Sequence, residues 1–323
     1  MIMAGIFIGV VLLIFVLALI SSLKKTNRRT PLRNQPLPEN LGIKLEGGMA
    51  ILNELDKSLP TSYEENVKNR VLRENPRWKD HEFDWAFFEL KRYFVMNSLL
   101  KSVPMFSEPV DEVWHEMLMF TREYDQFSKK FYGEKLHHMP NLESTPIPGE
   151  RAFFDWVYLS LFESTANSRS IWGGFLKHPI KREVLDDFRT LSHGELLANY
   201  FRSGDDWLEE KTYIIEKLKR EIKDADSVKR ENKGFERSHS RDESHIYSYA
   251  LGAAVFYSLY EEDQFESGMS DIIPNEYYKT ENHGGGSSCS GFSCSSGDSG
   301  HDFGGGDGGG SSCSSCGGGC GGS

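Results

Sequence analysis

The chain predicts a mainly α fold: a single N-terminal transmembrane helix, a helical cytoplasmic body and a disordered Gly/Ser/Cys-rich C-terminal tail. Three observations carry this expectation. Residues 2–20 are 19 consecutive uncharged residues dominated by Ile, Val, Leu and Phe. Across the middle of the chain apolar residues recur at three- and four-residue steps, and strand-like alternation is nowhere sustained. Finally, 17 of the 31 glycines fall in residues 284–323, where 12 serines join them.

The leading run is long enough, at about 1.5 Å per helical residue, to cross a hydrocarbon core of about 30 Å. No basic residue precedes it and Ser21, Ser22, Leu23 make a poor cleavage site, so an uncleaved anchor over residues 2–22 is expected rather than a signal peptide. Lys24, Lys25, Arg28, Arg29 and Arg33 all follow it with no acidic residue before them. Positive charge is retained on the cytoplasmic side, which predicts a single-pass cell-membrane protein with its N-terminus outside and its body in the cytoplasm. Residues 23–39, with Pro31, Pro36 and Pro38, read as a basic, stiff spacer between the bilayer and the body.

The body spans residues 40–274. Residues 80–100 read as a helix through Phe83, Phe87, Leu90 and Phe94, with Lys91 and Arg92 elsewhere on the wheel and Pro104 as the stop. A second helix is expected over 110–132, started by Glu108, Pro109, Val110 and Asp111 and ended by Gly133, its inward face being Val113, Met117, Phe120, Tyr124 and Phe127. Further helical patterns cover 150–164, 182–191, 193–202 and 205–224. Residues 227–244 are charged and poor in apolar groups, which predicts a mobile loop. Residues 246–260 carry no charge, but fifteen residues interrupted by Ser248, Gly252 and Ser258 suit a core helix better than a second crossing.

The net charge is −11, and because the five early basic residues stand alone, everything after residue 33 carries −16. Such a body repels a phosphate backbone, so no nucleic-acid partner is expected.

The most distinctive residues lie in 76–140: Asp111, Glu112, Val113, Trp114 and His115; then Thr121, Arg122, Glu123 and Tyr124; then Phe131, Tyr132 and Gly133, followed by His137, His138, Met139 and Pro140. This pattern resembles the glycine-rich domain-containing proteins. The resemblance implies a structural role for Trp114, Thr121, Tyr124 and Gly133, and a Gly/Cys-rich C-terminus like the one present. Where that pattern commonly carries Cys, this chain has Ser128, so no thiol role passes to that position. The resemblance brings no substrate or reaction.

Asp111 and His115 are four residues apart and therefore share a helix face, and a turn after Gly133 could return His137 or His138 to it. Two imidazoles and a carboxylate suit Zn²⁺, with Glu112 or Glu116 as a base for an activated water. The competing reading is packing, with the imidazole hydrogen-bonded to Asp111. Isolated His81, His193, His239 and His245 read as surface or core groups.

All five cysteines, Cys289, Cys294, Cys313, Cys316 and Cys320, lie in the linker and tail of residues 275–323. In a reducing cytoplasm a disulfide scaffold is not expected. The two closely spaced pairs, 18 residues apart, approach zinc-ribbon spacing, yet Phe292 inside the first pair and Phe303 between the pairs are the only apolar anchors there. These features predict a membrane-anchored interaction or scaffold protein, bound to the bilayer through residues 2–22 and to a protein partner through its acidic body. The alternatives are a metal-dependent hydrolase built on the Asp/His cluster and a metal or thiol sensor built on the tail.

Overall fold

A computed structural model describes residues 31–45, 47–137, 150–235, 240, 242–274 and 277. The expected anchor, His138, the tail and its cysteines lie outside the described residues. Among the described residues there are twelve α-helices, two short 3-10 turns and no strand. None of those helices is long and apolar enough to cross a membrane.

The first half is built around one helix. α1 (Met49–Ser58), α2 (Thr61–Glu74), α3 (Asp80–Leu99), α4 (Glu108–Leu118) and α5 (Thr121–Tyr132) follow one another, and α3 packs against α1, α2 and α4. Surrounded in this way, α3 buries 15 of its 20 residues. Trp85, Phe83, Phe94 and Leu90 are essentially inaccessible, each contributing about 2–3 kcal/mol of apolar burial. The assignment of Arg92 to an outer face is corrected: the helix has no solvent side there, and Arg92 is fully buried beside Glu89.

A continuous helix over 110–132 is also corrected. The chain breaks at Met119 and Phe120, where Phe120 takes φ −92°, ψ 67° and caps α5. The break lets α4 lie on α2 and α3 while α5 reaches α1, contacts one straight rod could not make together. Phe120 fills the corner edge-on to Tyr63, with ring centroids 6.0 Å apart. The start and stop follow local chemistry: the Ser107 hydroxyl accepts from Val110 N–H, Pro109 sits in the first turn, and Gly133 ends α5 in the left-handed region at φ 74°.

The second half comprises α6 (Glu150–Leu161), α7 (Ala166–Trp172), α8 (Arg182–Thr190), α9 (His193–Tyr200), α10 (Leu208–Arg230), α11 (Glu243–Tyr260) and α12 (Phe265–Ile272). α6 lies against α10 and α11, and α7 returns to α3 and α4, so one hydrophobic core runs through both halves. α10 continues to Arg230, so residues 227–230 are helix rather than loop; Ile222 and Ala225 keep its last turns seated on the core. The uncharged run of 246–260 lies in α11 and is buried along most of its length, as expected of a core helix. Two single-residue antiparallel bridges, Ile43 with Phe162 and Leu100 with Phe201, tie the ends of elements together.

The spacer of residues 23–39 is corrected over its described part. Residues 31–38 are a strap bonded to the body. Asn167, buried at the start of α7, accepts from Arg33 N–H and donates to Arg33 C=O, both at 2.8 Å. Trp85 Nε1 donates to Gln35 C=O at 3.2 Å, His81 Nε2 donates to Leu32 C=O at 3.1 Å, and the Leu32 side chain packs on the core. Prolines keep this segment extended and leave its carbonyls without helical partners, so side chains of α3 and α7 satisfy them.

Candidate functional site

The Asp/His face forms as the helical spacing requires. Asp111 Oδ2 lies 3.7 Å from His115 Nδ1, and the imidazole is about half exposed, at 51%. The carboxylates expected to serve as a base are held by α2 and the residue that follows it: Asn75 Nδ2 donates to Glu112 at 3.0 Å, and Arg70 pairs with Glu116. His137 is exposed at the end of its described segment. Among the described residues no three His, Cys, Asp or Glu side chains are placed to hold a metal ion, so Asp111, His115 and His137 do not converge as a ligand trio. His138 and Cys289, Cys294, Cys313, Cys316 and Cys320 lie outside the described residues.

The neighbouring motif residues make a fastening. Trp114 Nε1 donates to the Tyr124 hydroxyl at 3.1 Å, and that hydroxyl donates to Leu136 C=O at 2.9 Å. Burial pushes the Tyr124 hydroxyl up to about 12, against the opposing effect of the indole donor. Ser128, fully buried, donates to Glu134 C=O at 3.2 Å and accepts from Leu136 N–H. Trp114, Tyr124 and Ser128 therefore bind the return loop after Gly133 onto α4 and α5. Thr121 opens α5 on the exposed side.

Three polar assemblies escaped sequence reasoning. The deepest joins α3, α6 and α7. Glu89 accepts from Tyr158 OH at 2.6 Å, Trp172 Nε1 at 2.8 Å and Ser168 Oγ at 2.7 Å, and meets Arg92 at 3.3 Å. Arg92 also donates to the Tyr158 hydroxyl at 2.6 Å and, through Nε, to Leu41 C=O at 2.8 Å. Its guanidinium stacks over Phe88 at 4.4 Å, while Nη2 is buried without a hydrogen-bond partner. Leu41 presents its carbonyl from a left-handed turn in which Asn40, Leu41 and Gly42 all have positive φ. The only sequence signal was the i, i+3 spacing of Glu89 and Arg92 among aromatics.

A second assembly lies where α6 ends. Lys44 Nζ donates to Leu159 C=O, and Lys217 Nζ donates to the adjoining Ser160 C=O at 2.7 Å. Glu221, one turn beyond Lys217 on α10, accepts from the buried Trp156 indole at 2.6 Å. Burial, reinforced by Lys217, lowers the Lys44 amine to about 8. Burial likewise raises the Glu221 carboxyl to about 7, against the indole and both lysines. Perturbed groups gathered in this way mark a functional-site candidate.

The third is structural. Arg151 pairs with Asp155 at 2.9 Å and donates to Trp172 C=O at 2.9 Å, and Asp155 accepts from Leu176 N–H at 2.8 Å. This network clamps the loop after α7, in which Gly173, Gly174 and Leu176 all take positive φ. Nearby, a hollow of about 270 Å³, counting its open mouth, is walled by Met96, Leu100, Val103, Phe153 and Phe154, with Glu150 as its charged member. Burial raises the Glu150 carboxyl, with Lys181 opposing.

Residues 53–145, under a third of the chain, match a family model described as UCP032817-like. The match begins inside α1 and contains α2 to α5 with the Trp114, Tyr124 and Ser128 fastening. No curated protein and no solved structure matches the chain.

Proposed function

We propose that this protein is a membrane-anchored interaction or scaffold protein, held by residues 2–22 with its N-terminus outside and its acidic helical body in the cytoplasm. The strap supports this reading most directly. A body that grips residues 31–38 through Asn167, Trp85 and His81 is suited to transmitting the position of an upstream anchor. Eight residues separate Ser22 from Pro31, a reach of about 30 Å at most, so an anchor there fixes one side of the body near the bilayer. The charge after residue 33 favours a partner with a basic surface. The Gly/Ser/Cys composition of residues 284–323 suits a tail that lends reach to such contacts.

Membrane extraction of the full chain tests the anchor. The wild type is expected to stay with membranes through an alkaline carbonate wash. The double substitution Val11→Lys and Phe15→Lys, each costing about 3 kcal/mol at a bilayer centre, is expected to release it. Release of the wild type by the wash would overturn the anchor.

A further inference from the structure

We propose that Lys44 is a nucleophilic amine that captures a small aldehyde bearing an anionic group, with Lys217 holding the anion and Glu221 moving the proton. The geometry is a cluster contributed by three elements. Lys44, from the segment before α1, and Lys217, from α10, donate to successive carbonyls of α6, those of Leu159 and Ser160, so their amines stand side by side at a helix end. Glu221 is set beside them by its bond from Trp156 Nε1. Lys44, Lys217 and Glu221 each retain some solvent access.

Two lysines used only as helix-terminal donors would gain from remaining fully charged, since cations are favoured at that end. Here the crowding of amines works against it: burial first and Lys217 second weaken the charge on Lys44, while Glu221 and Glu163 oppose them and Arg92 adds a smaller repulsion. Near pH 7.5 about a quarter of an amine titrating near 8 is neutral, against about 0.1% of an ordinary lysine. Lower basicity also lowers intrinsic nucleophilicity, which leaves an advantage of roughly tenfold.

The chemistry balances without an oxidant or a reductant. The Lys44 nitrogen lone pair forms a bond to the aldehyde carbon as the C=O π bond opens, and a proton passes from that nitrogen to the oxygen to give a neutral carbinolamine. Glu221 then protonates that hydroxyl, the C–O bond breaks, and water leaves. The product of that step is the protonated imine, R–CH=NH⁺–Lys44, which returns its proton to the Glu221 carboxylate to leave the neutral imine R–CH=N–Lys44. When protonated, its nitrogen keeps one N–H that can still donate to Leu159 C=O. The Lys217 ammonium pairs with the carboxylate or phosphate of the aldehyde, which selects an anionic carbonyl compound over a neutral one.

The test treats the full chain near neutral pH with glyoxylate and cyanoborohydride, then maps modified lysines by peptide mass. Propanal is the uncharged comparison. Lys44 is expected to be alkylated about tenfold faster than the exposed Lys57 and Lys129, and faster by glyoxylate than by propanal. Lys217→Gln should remove that preference for the anion. Lys44→Arg, which keeps a donor to Leu159 C=O, should leave the other lysines unchanged. Labelling of Lys44 no faster than Lys57 overturns the proposal, as does equal labelling by the two aldehydes. A purely helix-terminal role for Lys44 predicts both of those contrary results.

Discussion

Gly42 combines a left-handed backbone with a close contact that one added carbon would meet. Its φ is +57°, and a β-carbon there would stand 2.8 Å from Arg92 Nη2, on a guanidinium already fixed by four side-chain and backbone acceptors and by stacking. Gly42→Ala should lose about 2–4 kcal/mol in urea unfolding, combining left-handed strain with displacement of Arg92. Gly173→Ala, with φ +77° but open space around it, should lose only about 1 kcal/mol. Equal losses would show that the Arg92 contact contributes nothing. The Glu89–Arg92 pair gives a second expectation. Glu89→Gln leaves a buried cation uncompensated and should cost about 3–5 kcal/mol, whereas adding Arg92→Met should recover part of that loss. Glu221 gives a third. Its folded carboxyl is raised to about 7, so between about 4.5 and 7 the folded state binds more protons than the unfolded chain, and stability falls as pH rises through that window. Glu221→Gln should therefore gain on the wild type by about 1 kcal/mol at pH 8 relative to pH 5, after allowance for partial solvent screening. A difference that stays flat, or that shrinks with pH, contradicts the assigned environment. Arg92 was illegible from sequence because its burial is imposed by α7 and the turn at Leu41, neither of which the local wheel of α3 records.

At the scale of elements, legibility followed local chemistry. The limits of α3, α8 and α9 were readable to within two residues because apolar periodicity agrees with where those helices pack, whereas α11 starts at Glu243, inside the stretch expected to be a loop, because Asp242 caps it. The stop at Gly133 was readable from the conformation glycine permits. The break between α4 and α5 was not, because Val113, Met117, Phe120, Tyr124 and Phe127 keep one helical phase straight through it. The bend comes from the separate neighbours each half must reach, α1 for α5 and α2 with α3 for α4. The strap was equally hidden: its bonds are made by backbone carbonyls of residues 32, 33 and 35, to which side-chain patterning is blind. Asn167→Ala removes both bonds to Arg33 and should cost about 1–2 kcal/mol. Amide exchange at Arg33 should then accelerate strongly while α3 keeps its protection. Unchanged exchange at Arg33 would mean the strap is held by something other than Asn167. On the motif side, the Asp111 and His115 pairing was legible from spacing alone, but the engagement of Glu112 by Asn75 and of Glu116 by Arg70 depends on α2, 37 and 46 residues away.

At the scale of the whole molecule, the helical class was legible because periodicity of three and four residues fills the body. The single core joining α3 to α6, α7 and α10 was not, since it rests on pairings between distant helices. The proposed function ties together a leading apolar run, a strap the body holds, and an acidic body behind them. Its most direct test is the side of the membrane on which each end stands. In intact cells a membrane-impermeant maleimide should label a cysteine placed in a short Gly/Ser extension fused ahead of Met1, and leave Cys289, Cys294, Cys313, Cys316 and Cys320 unmodified until detergent is added. Labelling of the wild-type chain in intact cells, or protection of the fused cysteine, would contradict the account.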